Sequence, residues 1–345
     1  MNAGLAVRVA VLAVLAVPAL PAAAQDTPAD WQVPRTEWGD PDLRGMWPLE
    51  VGQTPMQRNP HYGDQAYLTD EEYDAALKAA AELNGGADVE ERSDTLGAGS
   101  WFERGRVLRQ TSLIMEPANG RIRALTEEGQ RRAAASRSSW DNDVFETIAD
   151  FNSLDRCITR GLPATMIPFP YNNGVEIFQA PGYVVFNHEM IHETRMIPVN
   201  GDGKLPATMR TWLGDSRGRW EGDTLVVEST NFNGETPMVI VGPTNQKLMT
   251  SEALKVTEHF TMTGPDTIRY EAWVEDPVVL TAPFKMDFPW RRDESYESFE
   301  YACHEGNTLV RAYITATSPR FAAMREDGIA AREAAHSNLE GLTPD

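Results

Sequence analysis

Residues 254–275, LKVTEHFTMTGPDTIRYEAWVE, give the strongest indication of the fold class. Two runs rich in Val, Ile, Thr and aromatic residues flank Gly264-Pro265, a dipeptide that is typical of turns. The pattern predicts two antiparallel β-strands joined by a short connection. Similar runs, separated by other turn dipeptides, recur from Gly174 to His304.

Nine candidate strands lie in this β-rich region. They are Val175–Gln179, Tyr183–Ile191, Glu193–Val199, Met209–Leu213, Thr224–Asn231, Leu254–Thr263, Thr267–Glu275, Phe284–Trp290 and Tyr296–Cys303. Most connections between them are too short for a parallel crossover, so the sheet must be antiparallel. Many short strands without intervening helices predict a closed barrel or a sandwich. We favour an up-and-down, lipocalin-like β-barrel.

The region that precedes these strands has a different composition. Prolines recur throughout residues 31–64, which predicts an irregular covering layer. Thr69-Asp70-Glu71-Glu72 matches a capping box and predicts a helix that ends at Gly85-Gly86. We expect a second helix from Thr126 to Ser136, and the Ala-rich stretch from Arg320 to His336 predicts a carboxyl-terminal helix.

The chain is expected to form one structural domain after removal of a signal peptide. Its parts are the signal peptide (1–24), an extended and helical wrap (25–150), the antiparallel β-barrel (151–310) and a helical tail (311–345). Arg8, the apolar run from Val9 to Val17 and small residues up to Ala24 indicate the signal peptide. No later segment approaches about 18 consecutive apolar residues, so no integral membrane segment is expected. These features predict a periplasmic or extracellular protein.

The charge balance narrows the range of partners. The 345 residues include 51 Asp and Glu against 31 Lys and Arg, which gives a formal net charge of −20. Such a protein repels nucleic-acid phosphates and anionic lipid surfaces. No motif of a P-loop, a dinucleotide fold or a serine-hydrolase elbow occurs, and no cofactor or metal is predicted. A small molecule is the expected ligand, and protein partners stay open.

Cys157 and Cys303 are the two cysteines of the chain. An oxidising compartment favours their pairing, so we predict a disulfide between them. A disulfide that closes such a long loop stabilises the fold by about 4 to 5 kcal/mol in chain-entropy estimates. Two free buried thiols are the alternative.

Six further motifs occur along the chain. They are PDLRGMW (41–47), TSLI (111–114), RCITRG (156–161), YNN (171–173), WLGDSRGRWEGD (212–223) and YACHEGN (301–307). Together they resemble a large group of exported bacterial proteins, and the likeness covers most of the mature chain. The resemblance implies an exported protein on one shared scaffold, and it implies no activity. The closely spaced Gly and Asp residues of the fifth motif also predict a tight hairpin.

His188-Glu189-Met190-Ile191-His192 matches the H-E-x-x-H pattern of zinc peptidases. In those enzymes a helix brings both imidazoles onto one face, where they bind the metal. The flanking residues here have the composition of strands, and four residues along a strand separate two side chains by roughly 13 Å. A zinc-dependent peptidase is therefore only a minor alternative.

As a strand, the same segment has one strongly polar face. Alternation places Asn187, Glu189, Glu193 and Arg195 on that face. In one interpretation this face is exposed to solvent. In the other, Glu189 and Arg195 point into the barrel, pair with each other and shape a polar pocket. A turn inside the segment would change which side chains meet.

The motif around Tyr301 and His304 brings a phenol and an imidazole near the end of the last predicted strand. His304 is the best single candidate for a general acid or base, because an unperturbed imidazole titrates near neutral pH. A packed tyrosine and a hydrogen-bonded histidine are the structural alternative. Glu258 and His259 lie in the middle of a strand, so only one of them can face a pocket.

These features predict an exported β-barrel enzyme of the lyase, isomerase or hydrolase type that acts on a small, partly apolar molecule. The candidate catalytic residues are His304, His192, Glu189, Arg195 and Tyr301. The candidate ligand-binding residues are Asn187, Trp273, Tyr171, Asn173 and Glu258. The main alternative is a non-catalytic carrier whose barrel is lined by apolar residues such as Trp273.

Overall fold

Twelve β-strands and four α-helices make up the regular structure of the described residues. The computed structural model describes residues 30–92, 103, 105–139, 143–201, 203–239 and 248–340, and the predicted signal peptide (1–24) lies outside them. The strands are β1 (Gly45–Met46), β2 (Ile114–Glu116), β3 (Val175–Ala180), β4 (Tyr183–His188), β5 (Thr194–Pro198), β6 (Asp215–Glu221), β7 (Thr224–Thr230), β8 (Pro237–Val239), β9 (Leu248–Met249), β10 (Lys255–Gly264), β11 (Thr267–Glu275) and β12 (Phe284–Arg291). The helices are α1 (Asp70–Arg92), α2 (Glu127–Ala135), α3 (Leu309–Thr317) and α4 (Ala322–Glu340).

Most of the strands belong to two antiparallel sheets. One sheet has four strands in the order β1-β3-β4-β5, and the other has six in the order β2-β12-β11-β10-β7-β6. Side chains along β10, β11 and β12 alternate between buried and more exposed positions, the pattern that places one face of a sheet against a core. The prediction of a mainly β protein with antiparallel sheets and a carboxyl-terminal helix is confirmed.

The core lies between the buried faces of these two sheets. The ring of Phe186 in β4 contacts Phe260 in β10, with centroids 4.8 Å apart, and meets Trp290 in β12 at 6.3 Å. Tyr270 in β11 packs against Trp290 at 5.1 Å. Burying one phenylalanine side chain stabilises a fold by about 1.5–3 kcal/mol. These aromatic contacts therefore hold the two sheets together.

The predicted closed barrel is not found. A barrel needs a continuous ladder of backbone hydrogen bonds around its circumference. Within the described residues, β5 and β6 meet through a single parallel bridge between Val199 and Gly218. The long connection between these two strands leaves the ladder after Val199 and returns at Asp215, so the strands form two open sheets.

Most of the predicted strands are confirmed, with small shifts at their ends. Thr267–Glu275 is a strand over the predicted residues, whereas Met209–Leu213 and Tyr296–Cys303 form no strand. β6 is not among the predicted strands, because its sequence DSRGRWE contains Asp, Gly and charged residues that are depleted in strands. β6 and β7 form the tight hairpin that the WLGDSRGRWEGD motif predicts.

The predicted helix starts are confirmed, but α1 is longer than expected. The Thr69 hydroxyl accepts a hydrogen bond from the Glu72 N–H at 3.2 Å, and the Glu72 carboxylate accepts one from the Thr69 N–H at 2.8 Å, which is the predicted capping box. The predicted end at Gly85-Gly86 is wrong, because the helix continues to Arg92. A glycine costs a helix only about 1 kcal/mol. In the described part of the chain, no helix is both long and apolar enough to cross a membrane.

Candidate functional site

A turn interrupts the segment that carries the HEMIH sequence. β4 ends at His188, a short 3-10 turn spans Met190–His192, and β5 begins at Thr194. Ile191 has a φ of 61°, a left-handed value that is rare for a β-branched residue. The strand predicted over Tyr183–Ile191 therefore ends earlier, at His188, and the chain reverses in a turn before β5.

This reversal changes which side chains share a face. Phe186 lies opposite Arg195, and the His188 N–H donates to the Glu193 carbonyl at 2.8 Å, so His188 lies opposite Glu193. The side chains of opposite residues lie on the same face of a sheet. His188, Glu193 and Arg195 are all buried on the inner face, whereas Asn187 is on the outer face. The prediction that Asn187 and Arg195 share a face is wrong.

Arg195 and Glu258 form an ion pair in the core. Nη1 of Arg195 lies 3.0 Å from Oε1 of Glu258, and Nη2 contacts Oε2, while the two side chains are 3% and 0% exposed. Arg195 also donates to Ser216 at 3.1 Å and to Ser229 at 2.8 Å, and Tyr270 donates to Glu258 at 3.1 Å. Both charges are matched by protein partners, so this network serves the structure of the core.

Glu189 anchors a surface segment, and the predicted pairing of Glu189 with Arg195 is wrong. The Glu189 carboxylate accepts hydrogen bonds from the Tyr296 hydroxyl at 2.7 Å, the Phe299 N–H at 2.9 Å and the Asn172 side chain at 2.8 Å. Burial, with the hydrogen bond to Glu189, raises the pKa of Tyr296 above its usual range. Tyr296 thus stays a neutral donor that ties its segment to the end of β4.

Glu103 holds the neighbouring chain in the same way. Its carboxylate accepts hydrogen bonds from the Asn172 N–H at 2.7 Å and the Asn173 side chain at 3.0 Å, and it lies 3.1 Å from the Tyr296 hydroxyl. Asn173 is buried, and its amide also bonds the N–H and the carbonyl of Phe169. The hydrogen-bonding groups of Asn173, a predicted ligand-binding residue, are therefore occupied by partners within the protein.

The other predicted residues near this segment lie at or close to the surface. Tyr301 is half-buried and stacks on Tyr171, with ring centroids 6.4 Å apart. Burial, together with the Tyr301 hydroxyl, raises the pKa of Tyr171 to about 12. His192 is exposed, with Nδ1 2.9 Å from the Tyr301 carbonyl oxygen, and His304 is exposed in the turn that follows.

The two cysteines lie at disulfide distance. The Sγ atoms of Cys157 and Cys303 are 2.08 Å apart, and their Cα atoms are 5.6 Å apart. The predicted pairing is confirmed. The bond joins the RCITRG motif to the YACHEGN motif.

Neither Trp273 nor the HEMIH sequence has the predicted ligand-binding geometry. Trp273 lies on the outer face of β11, where Lys285 approaches its ring at 5.9 Å, so the prediction that it lines an interior pocket is wrong. His188 is buried on a strand and His192 is exposed in a turn, so the pair lacks the helical geometry of a zinc peptidase. The described residues contain no group of three or more His, Cys, Asp or Glu side chains arranged to hold a metal.

Arg160, from the RCITRG motif, lies buried in the protein interior. The next residue, Gly161, has a φ of 76°, and a Cβ there would lie 2.6 Å from the Cβ of Thr236, so the turn requires glycine. The Arg160 guanidinium lies 4.6 Å from the ring centre of Phe169 and donates to the Ile167 carbonyl at 3.2 Å. Its Nε has no hydrogen-bond partner.

Two threonines connect this turn to the inner face of β5. The hydroxyls of Thr159 and Thr165 donate to the Glu193 carboxylate, the latter at 3.1 Å. Arg160 directly follows Thr159, and His188 lies opposite Glu193. His188 is 2% exposed, and its Nε2 has no hydrogen-bond partner. We call Arg160, His188 and Glu193 the buried polar cluster.

Burial shifts the protonation of all three members of the cluster. It lowers the pKa of His188 to about 3, with help from the positive charges of Arg195 and Arg160. It raises the pKa of the Glu193 carboxyl, although the two threonine hydroxyls oppose this effect. It lowers the pKa of Arg160 to about 10. His188 is therefore neutral at physiological pH, and shifts of this kind are typical of functional sites.

The depressed pKa of His188 predicts a pH-dependent stability. The unfolded chain binds a proton at His188 below about pH 6.5, whereas the folded protein does so only near pH 3. The stabilisation of the folded state that results from this difference is complete above about pH 6.5. It is lost as the pH falls, by up to about 1.4 kcal/mol of unfolding free energy per pH unit. We expect the free energy of unfolding of His188→Gln, measured in urea between about pH 4.5 and 6.5, to depend less on pH than that of the wild type.

A histidine on the outer face provides the matched control. His259 lies on β10 next to Glu258 but faces outwards, so His259→Gln should keep the wild-type pH dependence. Glu193, Arg160 and Arg195 are present in all three proteins, so their own contributions cancel in the comparison. Identical slopes for the wild type and His188→Gln would show that His188 is not buried as a neutral imidazole.

The sequence patterns do not identify the three residues of the buried polar cluster as a site. Arg160 belongs to the RCITRG motif, but nothing in its spacing indicates that an arginine is buried there. Simple alternation places His188 and Glu193 on opposite faces of one strand. A pairing of these two residues across a turn at Met190–His192 would have found them, but that turn contains no Gly, Pro, Asn or Asp.

No protein-family model, curated protein or solved structure matches this chain. The chemistry of the buried polar cluster is therefore the best guide to the function.

Proposed function

We propose that the protein is an enzyme of the lyase or isomerase type that moves a proton on a small, partly apolar molecule held by the buried polar cluster. One observation carries this proposal: Arg160 and His188 are almost fully buried, yet Nε of Arg160 and Nε2 of His188 have no partner. An unpaired buried polar atom costs about 1–3 kcal/mol. A bound molecule that completes these hydrogen bonds would recover that free energy.

Each member of the cluster has a chemical role in this proposal. His188 is neutral, so its ring can donate a hydrogen bond to a carbonyl oxygen. The raised pKa of Glu193 brings its carboxyl closer to the range in which it can take and return a proton. Arg160 supplies a positive charge for an oxygen of the bound molecule. These roles suit proton transfer at a carbon next to a carbonyl group.

The surroundings of the cluster favour a molecule with an apolar part. Phe169, Met190 and Ile191 form a buried hydrophobic group, and Tyr171 and Tyr301 pack against it. Phe169 also lies under the Arg160 guanidinium. A ligand could therefore place a polar end at Arg160 and an apolar end among these side chains.

Glu193→Gln is expected to slow the reaction by about 10²–10⁴-fold, because an amide cannot transfer the proton. The substitution keeps the size of the side chain, and the amide oxygen can accept from one of the two threonine hydroxyls while the amide NH2 donates to the other. The measurement follows small molecules extracted from the source culture during incubation with the protein, by liquid chromatography and mass spectrometry. Glu271→Gln, on the outer face of β11, should convert the same component at the wild-type rate. Equal rates for Glu193→Gln and the wild type would contradict the proposal.

A non-catalytic carrier is the second candidate. The deep burial of Arg160 and His188 favours slow release of a bound molecule. A carrier would retain a small molecule in native mass spectra and leave it unchanged on incubation. An enzyme would release a product of different mass or chromatographic position.

An alternative place for the reaction is the set of sequence-based candidates near the surface, Glu189, His192, Tyr301 and His304, for an enzyme of the lyase, isomerase or hydrolase type. The exposed imidazoles of His192 and His304 support it. Export to the periplasm or the medium is also part of the proposal. The pairing of Cys157 with Cys303 supports export, because disulfides persist in oxidising compartments.

A further inference from the structure

We infer that the buried polar cluster binds the carboxylate of a small monocarboxylic acid, and that Arg160 is the residue that holds this carboxylate. The inference rests on the site of the proposed function and names its ligand class. It applies to an enzyme and to a carrier alike.

Arg160 and Arg58 are buried arginines that form no ion pair within the described residues, and Arg160 is the one that lies over the ring of Phe169. Arg195 and Glu258 neutralise each other through two contacts between guanidinium and carboxylate. Glu193 takes its hydrogen bonds from Thr159 and Thr165 and not from Arg160. A buried arginine normally has a directly bonded anion, because an uncompensated charge in a protein interior is costly. The unpartnered Nε of Arg160 can therefore bind an anion from outside the chain.

The free donors of the cluster are of the kind that binds the oxygens of a carboxylate. A guanidinium presents planar N–H groups that match the oxygens of a carboxylate. Nη2 of Arg160 already donates to the Ile167 carbonyl, which leaves the Nε–H for the ligand. The unpartnered Nε2 of His188 adds a second donor when the proton of the neutral ring is on that nitrogen.

The single charge and the apolar neighbours favour a monocarboxylate over phosphate. One guanidinium that bonds no carboxylate directly can neutralise one negative charge, whereas a phosphate at neutral pH carries close to two. The hydrophobic group of Phe169, Met190 and Ile191 would cover an aliphatic or aromatic remainder of the acid. Short fatty acids and aromatic acids meet both conditions.

Isothermal titration calorimetry of the wild-type protein with three probes tests the inference first. The probes are butyrate, its neutral analogue 1-butanol, and inorganic phosphate. Butyrate should bind at least about tenfold more tightly than 1-butanol, since a hydrogen bond to a charged group contributes about 1.5–3 kcal/mol. Phosphate should bind more weakly than butyrate. Equal affinity for butyrate and 1-butanol would overturn the inference without the use of any variant.

Substitution of Arg160 then locates the site. Arg160→Met should weaken butyrate binding by about tenfold to a hundredfold, and Arg160→Lys should weaken it less because the charge remains. Arg58 provides a control, because it is also fully buried with unpartnered nitrogens but donates to the carbonyls of Ala118 and Gly63. Arg58→Met should leave the affinity unchanged. An equal loss in Arg58→Met and Arg160→Met would place the carboxylate elsewhere.

The two proposals can fail separately. Conversion of a component of the culture extract, without any binding of butyrate by the wild type, would overturn the ligand class and leave the enzyme. Binding of butyrate that depends on Arg160, without conversion of any component, would support the carboxylate site and identify the protein as a carrier.

Discussion

Glu258→Gln is expected to lower the free energy of unfolding by about 3–5 kcal/mol, because it leaves the buried charge of Arg195 without its counter-ion. Glu258 is fully buried and also accepts a hydrogen bond from Tyr270. The loss is expected although the side chain keeps its size and much of its hydrogen bonding. Urea unfolding, followed by tryptophan fluorescence, measures it.

Two further variants separate the buried pair from general effects of charge removal. Glu228→Gln removes a half-buried carboxylate that bonds Lys204 and Lys255 near the surface, and it should cost less than about 1 kcal/mol. Replacing both members of the core pair, Arg195→Met with Glu258→Leu, should cost less than Glu258→Gln alone, because no unpaired charge remains. A cost below about 1 kcal/mol for Glu258→Gln would show that Arg195 reaches water or another anion.

Removal of the disulfide is expected to lower the free energy of unfolding by about 4–5 kcal/mol, since Cys157 and Cys303 close a very long loop. The bond fixes the segment that contains Tyr296 and Phe299, which otherwise depends on the hydrogen bonds to Glu189. The measurement compares urea unfolding of the wild type, with and without a reducing agent, and of the double variant Cys157→Ala with Cys303→Ala.

The double variant is its own control for the reducing agent. Because it has no cysteines, the double variant should have the same midpoint of urea unfolding with and without the reducing agent. That midpoint should lie near the midpoint of the reduced wild type. A double variant as stable as the oxidised wild type would mean that the loop stays ordered in the unfolded chain or that the bond is strained.

The sequence predicts the long strands well because local patterns determine them. In β10 and β11 an alternation of apolar and polar residues coincides with a short turn at Gly264, and both strands are found. The closed barrel is wrong because closure depends on pairing between the edge strands of the two sheets, β5 with β6 and β1 with β2, and local sequence patterns do not report such pairing. The composition of β6 does not predict a strand, because β6 is stabilised by its pairing with β7 and not by strand propensity.

The candidate site is less predictable than the fold. The HEMIH sequence contains the right residues for a zinc site, but its geometry is set by a turn in which Ile191 takes a left-handed φ that its side chain disfavours. Tertiary contacts must impose this conformation, and single-sequence patterns do not report them. The sequence likewise does not predict the burial of Arg160, because arginine is almost always exposed unless it has a specific partner.

Incorporation of solvent deuterium measures most directly the proposed transfer of a proton between the buried polar cluster and a bound molecule. The wild-type protein and Glu193→Gln are each incubated in D₂O with small molecules extracted from the source culture, and the masses of all components are recorded. We predict that one component gains a non-exchangeable deuterium with the wild type and gains none with Glu193→Gln. If no component gains deuterium with the wild type, the cluster does not perform this chemistry.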